Sequence, residues 1–255
     1  MRNNRTSTMQ TTPAFPSDLL IDEPDRNTVL LREFYEQHHE KRDYNKAQHE
    51  EIKSRMFRDY LEQHLNNPAL RGVDIGCRGG ALTKRLGVID WIGVDVDSKA
   101  VARANEVGIP SIEMNIAIGI NFQSDSFDAV VMTEVMEHLA YPVITVKEVH
   151  RILKKNPKSA FFGSVPLDYH LSRRWKVLRG KRLSGDPTHI HHFSFTELDY
   201  LLRFYFRDLT YKPLRGTASR YPNLPLPYNM FVADIAWVAS NPKKDVPTWE
   251  IQEIL

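Results

Sequence analysis

Short apolar runs alternate with helical segments between residues 72 and 165, and this alternation constrains the fold more than any other feature. Strands that alternate with helices along a chain form a parallel sheet with right-handed crossover connections. Two later apolar runs, 209–214 and 231–239, flank a proline-rich loop and predict an antiparallel hairpin on the sheet edge. We therefore predict an α/β fold with a doubly wound, mostly parallel, seven-stranded sheet. The predicted parallel strands are 72–75, 91–95, 111–115, 127–133 and 160–165, and the predicted helices are 81–86, 98–106, 142–153 and 196–206, the last capped by Thr196.

The segments on either side of this region divide the chain further. Residues 1–27 combine prolines with small polar residues and predict a flexible arm. Residues 28–68 lack glycine and have their first proline at the end, so we predict a cap of N-terminal helices. Residues 69–242 form the main predicted domain, with an irregular charged insertion at 166–195, and 243–255 are a C-terminal tail. The residues that give the N-terminal helix its apolar stripe are Ile52, Met56, Phe57, Tyr60, Leu61 and Leu65.

Bulk composition sets limits on where the protein works. The one cysteine, Cys77, cannot form a disulfide within the chain, which favours a reducing compartment. No apolar run approaches the roughly 20 residues of a membrane helix, and the first 17 residues lack the apolar core of a secretory signal. We therefore expect a cytoplasmic protein. The formal net charge of +2 gives no general argument for a nucleic-acid partner.

A glycine-rich turn follows the first predicted strand and precedes a helix. Residues 73–80 read VDIGCRGG, and Asp95 ends the next predicted strand. In open parallel sheets such turns bring the backbone close to a ligand, and an acid after the second strand can bind both ribose hydroxyls. A dinucleotide site requires Gly-x-Gly-x-x-Gly for its pyrophosphate. Here Asp74 would repel pyrophosphate but would suit a cationic ligand, such as the amino group of a methionine moiety.

These residues resemble the first motif of class I S-adenosylmethionine-dependent methyltransferases, which usually reads Asp-x-Gly-x-Gly-x-Gly. Arg78 replaces the middle glycine, and residues 155–158 replace the family's Lys-Pro-Gly-Gly turn. The resemblance continues through 126–131 (SFDAVV), 134–139 (EVMEHL) and 148–154 (EVHRILK), and covers residues 71 to about 240. Within the family, the sequence is similar to the small-molecule and ubiquinone-biosynthesis enzymes. The resemblance implies a Rossmann-like fold with S-adenosylmethionine as cofactor.

The resemblance also implies which residues hold the cofactor. Asp74 and the glycines would line the methionine side, Asp95 would bind the ribose with Val96 beside the adenine, and Asn115 would lie near the adenine amino group. Asn115 in a strand-end turn is an equally good interpretation. The full set of implied cofactor contacts is Asp74, Gly76, Cys77, Gly80, Asp95, Val96, Asn115, Thr133 and Glu134.

Histidines in the insertion are candidates for acceptor chemistry. Methyl transfer requires a nucleophile aligned with the methyl carbon, and a hydroxyl acceptor benefits from a general base. Four histidines lie between residues 165 and 195, and a similar His-rich segment closes over the pocket in related methyltransferases. We expect His191 or His189 to be the catalytic base. The structural alternative is that these rings cap turns or pack beneath the insertion.

A metal-binding interpretation competes with this one. Glu134, Glu137, His138 and a distant histidine such as His191 resemble the ligand pattern of two metal-dependent O-methyltransferase groups, which act in ubiquinone biosynthesis and on the 2′-oxygen of small RNA. If the turn after the fourth strand were helical, Glu134 and His138 would share one face. Because Glu-x-x-Glu-His also occurs in family members without a metal, we expect no metal.

The run 173–182 has six basic residues and no acidic residue. It would bind phosphate, carboxylate or an anionic membrane surface, or alternatively form a solvated helix face. The candidate acceptor-binding residues are Tyr35, Arg174 and Trp175.

These features predict an S-adenosylmethionine-dependent methyltransferase that acts on oxygen of a small-molecule or glycan- or lipid-linked acceptor. One alternative is a metal-assisted RNA 2′-O-methyltransferase, against which the modest charge argues. The other is a non-catalytic binding module that keeps the cofactor fold, which the Arg78 replacement favours.

Overall fold

The computed structural model describes Phe34, Tyr35, residues 50–184 and residues 186–246. The predicted arm at 1–27, residues 28–33 and 36–49 of the predicted helical cap, and residues 247–255 of the C-terminal tail lie outside these residues. The described helices are α1 Glu50–His64, α2 Ala81–Leu86, α3 Ser98–Glu106, α4 Pro142–Ile152, α5 Leu171–Leu178, α6 Phe195–Tyr205, α7 Thr217–Arg220 and α8 Tyr228–Phe231. The strands are β1 Arg71–Ile75, β2 Asp90–Asp95, β3 Ser111–Glu113, β4 Ala129–Thr133, β5 Ala160–Pro166, β6 Phe206–Gly216 and β7 Val232–Pro242.

The seven strands form one sheet in the order β3-β2-β1-β4-β5-β7-β6. The pairs among β1 to β5 are parallel, and β7 is antiparallel to both β5 and β6. This arrangement confirms the predicted mostly parallel sheet with an antiparallel terminal hairpin. The strand order reverses between β1 and β4, which is the point where open α/β sheets bind their ligands.

Both faces of the sheet are covered by apolar side chains. On one face, Phe57 and Leu61 of α1 are fully buried, and the Phe57 ring lies 5.2 Å from that of Phe162 in β5. The predicted stripe of α1 therefore packs as expected at these positions, although Ile52 is 42% exposed. On the other face, α4 and α6 bury their apolar sides in a second cluster around β4, β5 and β7.

Close contacts between strands require glycine at specific positions. Gly163 in β5 pairs with Trp237 of β7, and a Cβ at Gly163 would overlap the indole ring. The large aromatic side chain is fully buried in the space that the missing Cβ leaves. The close pairing of β5 with the antiparallel strand β7 thus requires a small residue at position 163 opposite Trp237.

Two sequence predictions about the insertion and the helix after it were wrong. Residues 171–178 were expected to lie in an irregular stretch but form the helix α5, in which no residue is buried, as in the alternative of a solvated helix face for the run 173–182. Thr196 was expected to cap α6, but the cap is Ser194. Its hydroxyl accepts a hydrogen bond from the Glu197 backbone N–H at 3.1 Å, and the Glu197 carboxylate accepts one from the Ser194 N–H, which together form a capping box.

Candidate functional site

A cavity of about 580 Å³ opens at the carboxyl ends of β1, β2 and β4. It lies where the strand order reverses, as the sequence argument requires. Of the predicted cofactor contacts, all but Gly80 line it. These lining residues are Asp74, Gly76, Cys77, Asp95, Val96, Asn115, Thr133 and Glu134.

The glycine-rich turn accommodates Arg78 by adopting a left-handed backbone conformation. Arg78 has a φ of +48°, and its backbone N–H donates to Oδ2 of Asp95 at 2.9 Å. Gly76 and Gly80 also have positive φ values of 75° and 72°, a conformation that glycine adopts most readily. The replacement therefore preserves the turn, and Arg78 lines the cavity together with Gly79.

Asp74 lies at the floor of the cavity beneath this turn. Its carboxylate is 3% exposed and accepts a short hydrogen bond from the hydroxyl of Thr83 in α2. Burial, with a smaller contribution from the nearby Asp95, raises the pKa of Asp74 to about 7, although the Thr83 hydrogen bond opposes this change. A cationic group that entered the cavity here would favour the ionised carboxylate.

Hydrogen bonds from backbone N–H groups fix the side chains of Asp95 and Asn115 in the cavity lining. Oδ1 of Asp95 accepts a hydrogen bond from the Asp97 N–H at 3.0 Å, while Oδ2 accepts the one from the Arg78 N–H. Oδ1 of Asn115 accepts from the Ala117 N–H at 3.0 Å, so Asn115 does stabilise a strand-end turn. Its buried Nδ2 has no hydrogen-bond partner among the described residues and is available to a ligand acceptor.

Glu134 follows β4 in a left-handed conformation with a φ of +55°. Its backbone N–H donates to the Ser164 carbonyl at 2.9 Å, and its carboxylate accepts from the Ser164 hydroxyl at 2.6 Å. Nζ of Lys53, from α1, lies 3.3 Å from Oγ of Ser164 and 3.7 Å from Oε1 of Glu134. Lys53 was not among the predicted site residues, although its position four residues before Phe57, on the apolar side of the helix, indicates that it is buried.

Glu137, His138 and His189 converge in the lining of the same cavity. One ligand atom from each lies within 4.8 Å of the other two. Nδ1 of His138 is 3.1 Å from the Thr188 carbonyl, and Nδ1 of His189 is 3.1 Å from the Ser184 hydroxyl, so both Nε2 atoms face Glu137. Oε2 of Glu137 is buried without a hydrogen-bond partner among the described residues. Residues 136–138 form one 3₁₀ turn, which is shorter than the helix that would put Glu134 and His138 on one face.

The two candidate bases lie in different environments. His189 lines the cavity, and burial lowers the pKa of its imidazole. His191 is absent from the cavity wall, because its Nε2 lies 3.2 Å from Glu197 and its ring packs on Phe193. The backbone N–H groups of Ile190 and His191 both donate to the Glu137 carbonyl at 3.0 Å, which fixes this loop against the cavity.

The three candidate acceptor-binding residues are also separated. Tyr35 lines the cavity, with its ring 6.1 Å from that of His138. Burial, together with Glu137, raises the pKa of Tyr35 to about 12, so its hydroxyl stays protonated at neutral pH. Arg174 and Trp175 lie on α5 outside the cavity, where the Arg179 guanidinium stacks 5.0 Å above the Trp175 ring.

The fold and the cavity together define an α/β protein with a cavity at the switch point of its sheet. Residues 73–161 match the sequence model of a methyltransferase domain. A ubiquinone biosynthesis O-methyltransferase of Alkalilimnicola ehrlichii is 29% identical over 178 residues, which are 61% of this chain and 70% of that protein. The mitochondrial counterpart from Mus musculus is 23% identical, over 52% of this chain and 39% of its own.

Solved structures show the same fold. A methyltransferase from Archaeoglobus fulgidus described as S-adenosylmethionine-dependent superposes with a TM-score of 0.57 at 18% identity, covering 81% of this chain and 99% of that one. One from Thermotoga maritima, described as a possible histamine N-methyltransferase, gives 0.53 at 19% identity and covers 84% and 97%. Residues 73–161 are thus similar to a methyltransferase domain, and the chain shares the fold of these solved structures. Within the described residues, no helix is long and apolar enough to cross a membrane.

Proposed function

We propose that this protein transfers a methyl group from S-adenosylmethionine to an oxygen of a small-molecule or glycan- or lipid-linked acceptor. The observation that carries the proposal is that two kinds of residues line the same cavity. One group comprises the glycine turn with the carboxylates of Asp74 and Asp95, and the other comprises Glu137, His138 and His189. The relatives whose names specify methylation of oxygen support the choice of acceptor atom.

In this proposal the cofactor lies along the carboxyl ends of the strands. Asp74 attracts the methionine ammonium group, and Asp95 accepts hydrogen bonds from the ribose hydroxyls while its own position is fixed by two backbone donors. The unpartnered Nδ2 of Asn115 is a donor, so it suits a ring nitrogen of adenine rather than the exocyclic amino group, which also donates. Thr133 and Glu134 border the methionine portion.

His189 is the better of the two candidate bases. Methyl transfer to a hydroxyl needs a group that removes the hydroxyl proton as the carbon–oxygen bond forms. Because its pKa is lowered by burial, the His189 imidazole is neutral at neutral pH and can accept that proton. We assign no catalytic role to His191, whose side chain binds Glu197.

Calorimetry with S-adenosylhomocysteine tests the cofactor part of the proposal. We expect binding to the wild type and a loss of at least about ten-fold in affinity for Asp95→Ala, since two hydroxyl hydrogen bonds disappear. Absence of binding to the wild type would refute it. Incubation of candidate acceptor extracts with methyl-labelled cofactor then identifies the acceptor, and label recovered only on nitrogen or carbon would exclude O-methylation.

A metal-assisted version of the same reaction is the second candidate. The two imidazole Nε2 atoms and the unpartnered Glu137 oxygen form a donor set that suits a divalent ion. Both imidazoles also have a polar neighbour at Nδ1, an arrangement that fixes the tautomer of metal-binding histidines. Glu137, His138 and His189 would hold the ion, in place of the set with His191 that the sequence suggested. When bound, the ion would lower the pKa of the acceptor hydroxyl.

The two versions differ in their response to chelation. If a metal takes part, EDTA abolishes methyl transfer and Mg²⁺ or Mn²⁺ restores it, whereas a histidine base alone is indifferent to EDTA. Exposed 2′-hydroxyls of a short RNA duplex serve as a separate acceptor in this assay. Methylation of that RNA at a rate above that of the small-molecule acceptors would favour the RNA alternative.

The basic helix α5 has features that suit an anionic surface. Trp175, Val177 and Leu178 are exposed by 56, 45 and 77%, beside the basic residues of the run 173–182. We propose that this helix contacts anionic phospholipid when the acceptor is lipid-linked. Vesicles containing phosphatidylglycerol should co-sediment the wild type but less of Arg174→Glu, with Lys212→Glu, on exposed β6, as the control. Equal sedimentation of all three proteins would rule this out.

A further inference from the structure

Lys53 is a cation buried in the wall of the cavity, and the methyl transfer described above gives it no role. Its side chain is 2% exposed, which lysine side chains rarely reach unless they are paired. Phe57 and Leu61, one and two turns further along α1, bind the helix to the sheet. The helix therefore places the Lys53 ammonium group at the carboxyl ends of β4 and β5, near Glu134 and Ser164.

One carboxylate contacts this ammonium group, and two more line the same cavity. Oε1 of Glu134 lies 3.7 Å from Nζ of Lys53, and the Ser164 hydroxyl contacts both side chains. Asp74 and Glu137 line the cavity with Lys53; burial raises the pKa of both carboxyls, and the charge of Lys53 opposes that rise. Lys53 thus offsets the negative charge of β1, of the end of β4 and of the 3₁₀ turn.

The two forms of the cofactor differ in charge at one atom. The sulfur of S-adenosylmethionine is a cationic sulfonium. In transfer the methyl–sulfur bond breaks and its electron pair stays on sulfur, which becomes the neutral thioether of S-adenosylhomocysteine. The methyl group bonds to the acceptor oxygen, and the hydroxyl proton passes to the base. Uncompensated carboxylates beside the sulfur would favour the sulfonium over the thioether.

We propose that Lys53 is a positioning residue that holds Glu134 and offsets the carboxylates around the sulfur, and thereby limits the preference of the site for the sulfonium form of the cofactor. This inference rests on the proposed cofactor position.

The consequence for catalysis follows from the loss of charge during transfer. Interactions that stabilise the sulfonium more than the transition state lower KM but also lower kcat. A cation at Lys53 reduces that ground-state stabilisation. Lys53→Met should therefore lower both KM for S-adenosylmethionine and kcat, whereas a residue that only packs the helix would affect protein stability without this combination.

Binding of the two cofactor forms tests the inference without an identified acceptor. The quantity to measure by calorimetry is the ratio of the Kd for S-adenosylhomocysteine to the Kd for S-adenosylmethionine. Removing one positive charge near the sulfur, at an effective dielectric constant of about 20, should increase this ratio by about ten-fold or more. We expect that increase for Lys53→Met, while Lys53→Arg, which keeps the charge, and the surface control Lys147→Met stay within about two-fold of the wild type.

Glu134→Gln gives a second measurement that does not require Lys53→Met to fold. Removing the carboxylate should lower the same ratio, opposite to the effect of Lys53→Met. An unchanged ratio in either folded variant, or equal weakening of both ligands by Lys53→Met, would overturn the inference. Failure of the wild type to bind either ligand would instead overturn the proposed function itself, so the two failures are distinguishable.

Discussion

Replacing Asp74 with asparagine should make the ligand-free protein more stable at alkaline pH. Asp74 is buried beneath the glycine turn, and its pKa rises from the usual 3.8 to about 7. A carboxyl whose folded pKa is raised holds its proton more tightly in the native state than in the unfolded state. Its contribution to stability is therefore complete below the unfolded pKa and is lost as pH rises from about 4 to about 7. Asparagine keeps an acceptor for Thr83 but cannot ionise.

The size of the effect follows from the two pKa values. One pKa unit corresponds to about 1.4 kcal/mol, and the difference between 7 and 3.8 is 3.2 units, so the native state loses about 4 kcal/mol in total. At pH 5 roughly 1.6 kcal/mol of this is already lost, which leaves about 3 kcal/mol to be lost between pH 5 and pH 8. The stability advantage of Asp74→Asn over the wild type should grow by that amount across the same interval.

Urea denaturation of both ligand-free proteins at several pH values measures this difference directly, because all other titrating groups are shared and cancel. Asp90→Asn, at an exposed position at the start of β2, matches the change in net charge and serves as the control. A stability difference between Asp74→Asn and the wild type that stays constant from pH 5 to pH 8 would refute the reasoning, since it would mean that the buried carboxyl does not titrate in this range.

Three further substitutions test other parts of the structure. His189→Gln should lower methyl transfer by about 10²–10³-fold, whereas His191→Gln should change it by less than about five-fold; equal losses in labelled-methyl assays would contradict the assignment of the base. Gly163→Ala forces a methyl group into the Trp237 ring and should cost about 2–4 kcal/mol in urea denaturation, and a cost below about 0.5 kcal/mol would show that the strands separate easily. Ser194→Ala removes half of the capping box and should lower the free energy of unfolding by about 1 kcal/mol. Ser194→Thr keeps a hydroxyl and should largely avoid this loss. If the two variants were equally stable, the hydroxyl at this cap would contribute nothing.

The sheet was predictable because its strands are short apolar runs that alternate with helical segments along the chain. Strands β1, β2 and β5 begin and end within a residue of their predicted limits. The helix α5 was not predictable in the same way. It buries none of its residues, so it lacks the periodic apolar pattern that reveals a helix in sequence. The density of charged residues instead suggested an irregular segment, with a solvated helix face as the alternative.

The candidate site was predictable where its residues follow strands and not where it depends on distant contacts. Asp74, Asp95 and Thr133 occupy strand ends, and parallel strands bring these ends to one edge of the sheet. The meeting of Glu137 with His189 joins residues 52 positions apart, and no local pattern distinguishes His189 from His191. Lys53 was missed because lysine in a polar helix is normally exposed.

The attachment of the loop at Ile190 and His191 has a consequence for how acceptor preference can change. Both residues bind Glu137 through backbone N–H groups, and the acceptor of both bonds is a backbone carbonyl. Amide donors are present whatever the side chain, proline excepted. The side chains at these two positions can therefore change, over evolution or in a designed library, while the loop stays attached to the 3₁₀ turn at 136–138. The position of the neighbouring His189 in the cavity is thus insensitive to the identity of the two side chains that follow it.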